Sequence, residues 1–321
     1  MRAYQVTELG KAPSVTDIPV PKPGPGQVQI RIAACGLNFG DLLMVKGTYQ
    51  ETPEPPFVPG MEVSGTVAAL GDGVQGLSVG DRIAVFGGHG GFAEYGCYDA
   101  ERCIPIPDGM SFEHAAAFIV AYGTSHLALS RRARLQAGET LLVLGAAGGV
   151  GLTAVEIGKK MGARVIAVAR GAEKLKVAQA AGADHLIDST TQDIREEVKK
   201  LGGADVVYDP VGGDQFKAAL RACNPEARVL IIGFASGEVP QVPANIILVK
   251  NVTIIGYYWG GYMAFNPKPL TDSLREMMTW YAEGKISPHV SHAIPLERAE
   301  EAFELMRSRK STGKVVVTMP R

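Results

Sequence analysis

Residues Leu141-Leu-Val-Leu-Gly-Ala-Ala-Gly-Gly-Val-Gly151 join an apolar run to three glycines and lead into a helix-compatible segment, Leu152 to Met161. A strand that ends in a tight glycine turn and opens a helix presents backbone N–H groups and a positive dipole end to a phosphate. Gly145, Gly148 and Gly151 read G-x-x-G-x-x-G, one position away from the usual G-x-G-x-x-G pattern. The next apolar run, Arg164-Val-Ile-Ala-Val-Ala169, closes a β-α-β unit of about 30 residues, the size expected for half of a dinucleotide-binding fold. Gly145, Ala146, Ala147, Gly148, Gly149, Val150 and Gly151 are therefore expected to cradle a pyrophosphate. The alternative is a glycine turn with no ligand.

The tip of that second strand bears on which dinucleotide is held. A site for NAD wants an acid there to accept from the ribose 2′-hydroxyl. This chain has Ala169-Arg170-Gly171-Ala172-Glu173-Lys174, with no acid at the strand tip and two cations across a turn. Arg grips a 2′-phosphate with two donors and Lys meets it as a point charge. Arg170 and Lys174 thus favour NADP(H) over NAD(H), unless they are solvated surface charges.

These residues need a scaffold, and the chain supplies one of ordinary composition. Its 321 residues suggest two domains; 46% are hydrophobic, 20% are charged and the net charge is −1. No basic field argues for nucleic acid or an anionic membrane. The 39 glycines fit a chain with many turns. Arg2, Glu8, Lys11 and Asp17 interrupt any early apolar core, so no signal peptide is expected. Leu141–Val155 is too short and glycine-rich to span a bilayer. The four cysteines form no C-x-x-C pair, and a reducing, cytoplasmic setting is the simplest expectation.

Residues 1–110 read as all-β. Val28 to Ala33 alternates with period two, and Val63–Ala68 and Arg82–Phe86 are further short strands between Gly and Pro turns. Pro19 to Gly26 is too proline-rich for a ladder. From Ser111, a helix N-cap, the pattern changes. Six strand-like runs then alternate with helical or loop segments: Leu141–Leu144, Val165–Ala169, His185–Ile187, Val206–Tyr208, Val229–Ile232 and Val252–Ile255. Six strands with crossovers make a complete doubly wound sheet. An irregular segment, Trp259–Pro269, a helix over Leu270–Gly284 and a shorter one over Leu296–Arg307 precede the strand Lys314–Thr318. That strand lacks a partner in the doubly wound sheet and is expected to return to the first domain.

At this point the chain resembles the medium-chain dehydrogenases/reductases, and within them the zinc-independent quinone oxidoreductase (zeta-crystallin-like) branch. The resemblance runs over essentially the whole chain. Its carriers are Asn38-Phe-Gly-Asp41 with Lys46-Gly-Thr-Tyr49, Pro59-Gly-Met-Glu-Val-Ser-Gly65, Gly90-Gly-Phe-Ala-Glu-Tyr95, Ala146 to Gly151, and Gly182-Ala-Asp-His185. It implies an α/β chain with a GroES-like β domain (1–120 and 257–321) for the substrate and a doubly wound Rossmann domain (121–256) with a six-stranded parallel sheet for NADPH. Zinc-dependent relatives carry a Cys in the segment matching Asn38–Asp41 and a His in that matching Gly60–Glu62. Here Asn38 and Met61 stand in those places, and amide and thioether do not replace thiolate and imidazole. The structural-zinc cysteine cluster is absent too, so no metal is expected. His289-x-x-His292 is read as two surface histidines.

The resemblance places Tyr49 where related enoyl reductases have a catalytic tyrosine, with Asn38 and Asp41 in the same cleft; Tyr49 as a packed aromatic and Asp41 as a structural group remain open. It places Thr124 on the nicotinamide side, Gly233 and Phe234 beside the nicotinamide ribose, and Arg309 near the cofactor. Ser189 stands where the family often has a Tyr near the adenine. Tyr257, Tyr258, Trp259 and Tyr262 fall where the acceptor pocket closes, or at a subunit interface. Without a Lewis acid, hydride transfer needs an acceptor that delocalises charge and a group that donates a proton. The implied activity is NADPH-dependent reduction of a small quinone or α,β-unsaturated carbonyl. The alternatives are an enoyl-thioester reductase and a non-catalytic NADPH-binding protein; Arg131-Arg-Ala-Arg134 is too small a cationic cluster to favour the first. The apolar Val252–Tyr258 suggests a sheet edge that pairs in a homodimer.

Overall fold

The alternation of buried and exposed residues along the early strands dictates a β sheet with one packed face. The computed structural model describes residues 1–320, so the last residue of the expected 257–321 segment lies outside the described residues. The strands are β1 (Arg2–Gln5), β2 (Ser14–Asp17), β3 (Gln27–Leu37), β4 (Glu62–Leu70), β5 (Arg82–Phe86), β6 (Tyr95–Asp99), β7 (Cys103–Pro105), β8 (Thr140–Val143), β9 (Arg164–Ala169), β10 (His185–Asp188), β11 (Ala204–Asp209), β12 (Cys223–Ile231), β13 (Thr253–Gly256), β14 (Val290–Pro295) and β15 (Lys314–Thr318). The chain divides into two compact units, Met1–Val120 with the residues from Met278 onward, and Ala121–Met277.

In the first unit, a seven-stranded sheet runs β14-β15-β3-β4-β5-β7, with β6 on the other part of the long β3. Val28, Ile30 and Ile32 of β3 are buried while Arg31 is exposed, the period-two signature of a half-buried strand. β15 lies antiparallel to β3, pairing Val315 with Leu37 and Val317 with Cys35. The last strand thus returns to the first unit as expected. The helix Ala299–Arg307 precedes it there, and Phe303 packs on Tyr4 and Phe92 with ring centroids 5.3 and 5.5 Å apart.

In the second unit, six parallel strands run β10-β9-β8-β11-β12-β13. All six correspond to the runs expected from sequence. The connecting helices are Gly149–Lys160, Ala172–Ala180, Ile194–Lys200, Gly213–Ala222 and Ala244–Lys250. Right-handed crossovers put the helices of the two halves on opposite faces of such a sheet. The strand order reverses between β8 and β11, and the loops beyond the carboxyl ends there are where ligands bind in sheets of this kind.

Two expectations differ from the structure. Residues 257–277 group with the second unit rather than the first. The Trp259 ring lies against Gly123, where a Cβ would come within 2.7 Å of it, and Ser273 Oγ is 2.8 Å from His126 Nδ1. The segment 259–269 also contains a helical turn, Tyr262–Phe265, and the following helix spans Pro267–Ala282. Tyr262 is buried and packs on Tyr257 and Phe265, which gives that turn its own apolar anchor.

Candidate functional site

The loop after β8 is shaped by what its glycines leave out. Gly145 has φ +58°, a left-handed conformation, and a Cβ there would meet Val211 Cγ2 at 2.9 Å. A Cβ on Gly151 would sit 2.2 Å from the Gly145 carbonyl oxygen. The helix Gly149–Lys160 thus begins directly on top of the strand end. Ala146 N donates to Val168 O at 2.9 Å and Gly148 N to Gly145 O at 2.9 Å, which fixes the turn. The first-turn amides of the helix, from Gly149 to Gly151, have no intrahelical acceptor and give the loop its anion-binding character. Gly148 differs from its neighbours. It is exposed, has φ −81°, and a Cβ would touch only Gly145 O, at 3.4 Å. The fold tolerates a side chain there; only a bound ligand gives a reason to exclude one.

A buried polar knot holds this helix start, and the sequence reading missed it. Ser125 Oγ donates to Val150 O at 2.9 Å and lies 2.8 Å from Thr153 Oγ1 and 2.9 Å from the Tyr208 hydroxyl. Thr153 Oγ1 also donates to Ala121 O at 3.0 Å. Tyr122, fully buried, donates its hydroxyl to Glu156. Thr124 sits on the same helix, Ile119–Leu127, and is 7% exposed. The hydroxyls on this helix are the available signal: a buried helix carrying Tyr, Thr, Ser and His among apolar residues must find them partners.

Four more strands, β9 to β12, end at the same carboxyl edge of the sheet as the glycine loop. Arg170 follows β9 and is exposed, while Lys174 is half-buried in the next helix. The turn between them is set by Asp188 at the end of β10. Its Oδ1 accepts from Gly171 N at 3.0 Å and from Thr190 N and Oγ1 at 3.0 and 2.7 Å. The Gly171 amide bond, with the Thr190 donors behind it, holds the Asp188 carboxyl below its ordinary range. Ser189, in place of an aromatic, donates its N–H to Ala169 O at 3.0 Å. At the end of β11, Asp209 Oδ1 accepts from Val211 N and Gly212 N at 2.8 and 2.9 Å. Burial pushes Asp209 up to about 6 against those two amides. Gly233 and Phe234 follow β12; Gly233 N donates to Asp209 O at 3.3 Å, and Phe234 is 36% exposed.

In the first unit, Asn38, Asp41 and Tyr49 are brought together around the helix Phe39–Lys46. Asn38 is its N-cap, and its N–H donates to Asp41 Oδ2 at 2.8 Å. Asp41 is fully buried, and Oδ1 accepts from Gly60 N at 3.0 Å. Burial raises its carboxyl to about 7, while the Asn38 and Gly60 amides and the Lys314 charge pull the other way. Each carboxylate oxygen of Asp41 thus accepts from a backbone amide within the packed interior. The Asn38 carboxamide is committed as well: Nδ2 donates to Glu62 Oε1 at 2.9 Å and to Gly36 O at 3.2 Å, and Oδ1 accepts from Lys314 at 2.7 Å. The helix ends at Gly47, φ +74°, whose amide caps Leu43 and Met44. Two residues on, the half-buried Tyr49 ring lies against Gly40, where a Cβ would come within 3.1 Å of Tyr49 Cε2. Arg309 lies in a left-handed turn (φ +56°) after the helix Ala299–Arg307 and is exposed. Glu62 and Lys314 were not singled out from sequence. A lysine opening the run Lys-Val-Val-Val of a central strand was the available signal, because a buried ammonium requires a partner.

Two family profiles match the chain: the alcohol dehydrogenase GroES-like domain over residues 24–108 and the zinc-binding dehydrogenase domain over residues 149–282. A quinone oxidoreductase-like protein 2 homolog from Nematostella vectensis is 42% identical over 324 residues, covering 98% of this chain and 88% of the relative. Among solved structures, the quinone oxidoreductase of Thermus thermophilus, determined also in complex with NADPH, is 33% identical with a TM-score of 0.88, covering 99% of this chain and 100% of that one. The Escherichia coli quinone oxidoreductase complexed with NADPH is 28% identical with a TM-score of 0.91, covering 99% and 100%.

The second profile's description raises zinc, and the donor set here does not suit it. The Asn38 carboxamide is bound at both ends by Lys314 and Glu62. Met61 is buried, with its methyl 2.5 Å from where a Gly40 Cβ would be. Neither residue type is a usual zinc ligand. His289 Nε2 lies 3.0 Å from Thr312 Oγ1, and His292 Nδ1 lies 3.0 Å from Ser291 Oγ.

The loop geometry separates two glycines by experiment. Gly151→Ala should destabilise the protein by about 1–3 kcal/mol, because backbone cannot move out of the way of the new methyl. Gly148→Ala should stay within about 0.5 kcal/mol of wild type. Chemical denaturation of both variants checks this; equal losses would mean that the loop is not packed as described.

Proposed function

We propose that this chain, which belongs to the quinone oxidoreductase branch of the medium-chain dehydrogenase/reductase family, reduces a quinone or related α,β-unsaturated carbonyl with NADPH and without zinc. The observation that carries the cofactor half of this reading is the glycine loop: Gly145 is required by its left-handed φ and the Val211 side chain, Gly151 by contact with the Gly145 backbone, while the exposed Gly148 leaves room for a ligand rather than for the fold. The NADPH complexes of two structurally similar quinone oxidoreductases support it. In this reading the unit Ala121–Met277 binds the cofactor and the remainder faces the substrate.

When bound, the dihydronicotinamide supplies the hydride. The loop Gly145, Ala146, Ala147, Gly148, Gly149, Val150 and Gly151 cradles the pyrophosphate, with the first-turn amides of Gly149, Val150 and Gly151 as its donors. Arg170 and Lys174 take the 2′-phosphate, and Asp188 fixes the turn that carries them. Thr124, Gly233 and Phe234 flank the nicotinamide ribose, and Arg309 reaches the cofactor from the C-terminal segment. Hydride adds to the acceptor's electron-poor carbon, and the displaced electron pair moves onto the conjugated oxygen. The Tyr49 hydroxyl donates to that oxygen and supplies the proton, which solvent then replaces. Asn38 and Asp41 serve by holding the helix start against which Tyr49 packs. The edge strand β13, followed by the half-exposed Tyr258, is the surface through which two copies pair. Among the described residues no helix is long and apolar enough to cross a membrane.

Cofactor choice is tested by replacing Arg170 and Lys174 together with Ala. The Kd for NADPH should rise at least about tenfold more than that for NADH, since a charge-assisted contact is worth that much or more. Equal weakening of both would remove the 2′-phosphate assignment.

Catalysis is tested by following NADPH absorbance in single turnovers with a quinone, a short enone and crotonyl-CoA. Quinone and enone should be reduced, and Tyr49→Phe should slow the enone about 100-fold or more while sparing the quinone. Preference for crotonyl-CoA would instead make the protein an enoyl-thioester reductase, and no oxidation with any acceptor would leave it a binding protein.

A further inference from the structure

We propose that Lys314 is a positioning residue for Tyr49: its ammonium, locked to Glu62 and Asn38, sets the helix start on which the Tyr49 ring rests. The inference deepens the reading of Tyr49 given above and rests on it for its catalytic consequence. Lys314 and Glu62 are both buried, with side-chain exposures of 5% and 0%. Lys314 Nζ donates to Leu37 O at 2.9 Å, Asn38 Oδ1 at 2.7 Å and Glu62 Oε1 at 2.7 Å. An ammonium has three donors, and all three are used.

Glu62 spreads the constraint. Its Oε1 also accepts from Asn38 Nδ2 at 2.9 Å, and its Oε2 accepts from Val120 N at 2.8 Å. The Asn38 carboxamide is thereby fixed in both position and orientation, because swapping its two ends would set donor against donor at Lys314. Backbone and side chain of Asn38 then define the first turn. Asn38 N donates to Asp41, and Gly40 lies between them in sequence. The Tyr49 ring and the Met61 thioether both occupy the space where a Gly40 side chain would be. The line of contact runs from β15 through Glu62 and Asn38 to Gly40 and the Tyr49 ring, entirely within the first unit.

An isolated charge here has no alternative partner in water. If the ammonium is lost, the Glu62 carboxylate stays buried beside a carboxamide whose oxygen has lost its donor. Relief comes from rotating Asn38, and the first turn moves with it. A displacement of about 1 Å at a reacting group costs up to about 100-fold in rate.

The experiment uses Lys314→Met, which keeps the stem and removes the charge, with fluorotyrosine-labelled protein and Tyr49 assigned by its loss in Tyr49→Phe. The fluorine resonance of Tyr49 should shift in Lys314→Met. Enone reduction should fall about tenfold or more, with the Kd for NADPH within twofold of wild type. In a Tyr49→Phe background, Lys314→Met should have little further effect on the rate, which a general loss of stability would not produce. If Lys314→Met fails to fold, Lys314→Met/Glu62→Gln removes both charges together; it still lacks the bond to Asn38 Oδ1 and should show the same resonance shift. An unshifted Tyr49 resonance in either folded variant overturns the proposal. So do additive rate losses in the double-mutant cycle. A shifted resonance with a Tyr49→Phe rate equal to wild type upholds the positioning and discards Tyr49 as proton donor, so the two readings fail separately.

Discussion

The ion pair of Lys314 with Glu62 is the constraint on which the first unit's functional end depends. Removing one member of a buried pair typically costs about 3–5 kcal/mol, mostly because the other charge is stranded. Here the pair also joins chain segments far apart in sequence. Lys314 opens β15, Glu62 opens β4, Asn38 follows β3, and the Glu62 carboxylate holds the amide of Val120. Strand pairing alone fixes these segments laterally. The charge cluster fixes them at one point, and that point is the N-terminus of the helix leading to Tyr49.

A different economy governs the second unit. Its anion-binding feature is made by omission: side chains are missing at Gly145 and Gly151 because backbone and Val211 already fill the space. The helix start is then anchored from below by Ser125, Thr153 and Tyr208. Rigid backbone donors of this kind need no reorganisation when an anion arrives. Asp188 and Asp209 do similar work at neighbouring strand ends, each holding a turn by accepting backbone N–H groups.

Much of this was legible in sequence because it is periodic or steric. Six apolar runs separated by crossovers specify a doubly wound sheet, and the lone run Lys314–Thr318 had nowhere to go but the first unit. The glycine loop was legible for the same reason, although sequence could not tell that Gly151 is required by the fold and Gly148 is not. The division of residues 257–277 was missed because it depends on the Trp259 ring meeting Gly123, a contact between positions far apart in the chain. Asn38 and Asp41 were expected in the active cleft by resemblance, with a structural role for Asp41 left open; the hydrogen bonds that tie them to Glu62, Lys314 and Gly60 depend on residues distant in the chain. Nothing in the local pattern around Asn38 announces Lys314, since a buried charge pair is a property of the assembled sheet.

The proposed function turns on one event, the movement of hydride from NADPH to a conjugated acceptor. It is tested most directly by supplying NADPH that carries deuterium at the hydride-donating position of the nicotinamide, together with a short enone. Mass spectrometry and NMR then locate the label in the product. One deuterium should appear at the carbon β to the carbonyl, in product formed under anaerobic conditions without added metal. Reduced product lacking deuterium, or NADPH oxidation that depends on oxygen and leaves the enone intact, would contradict it.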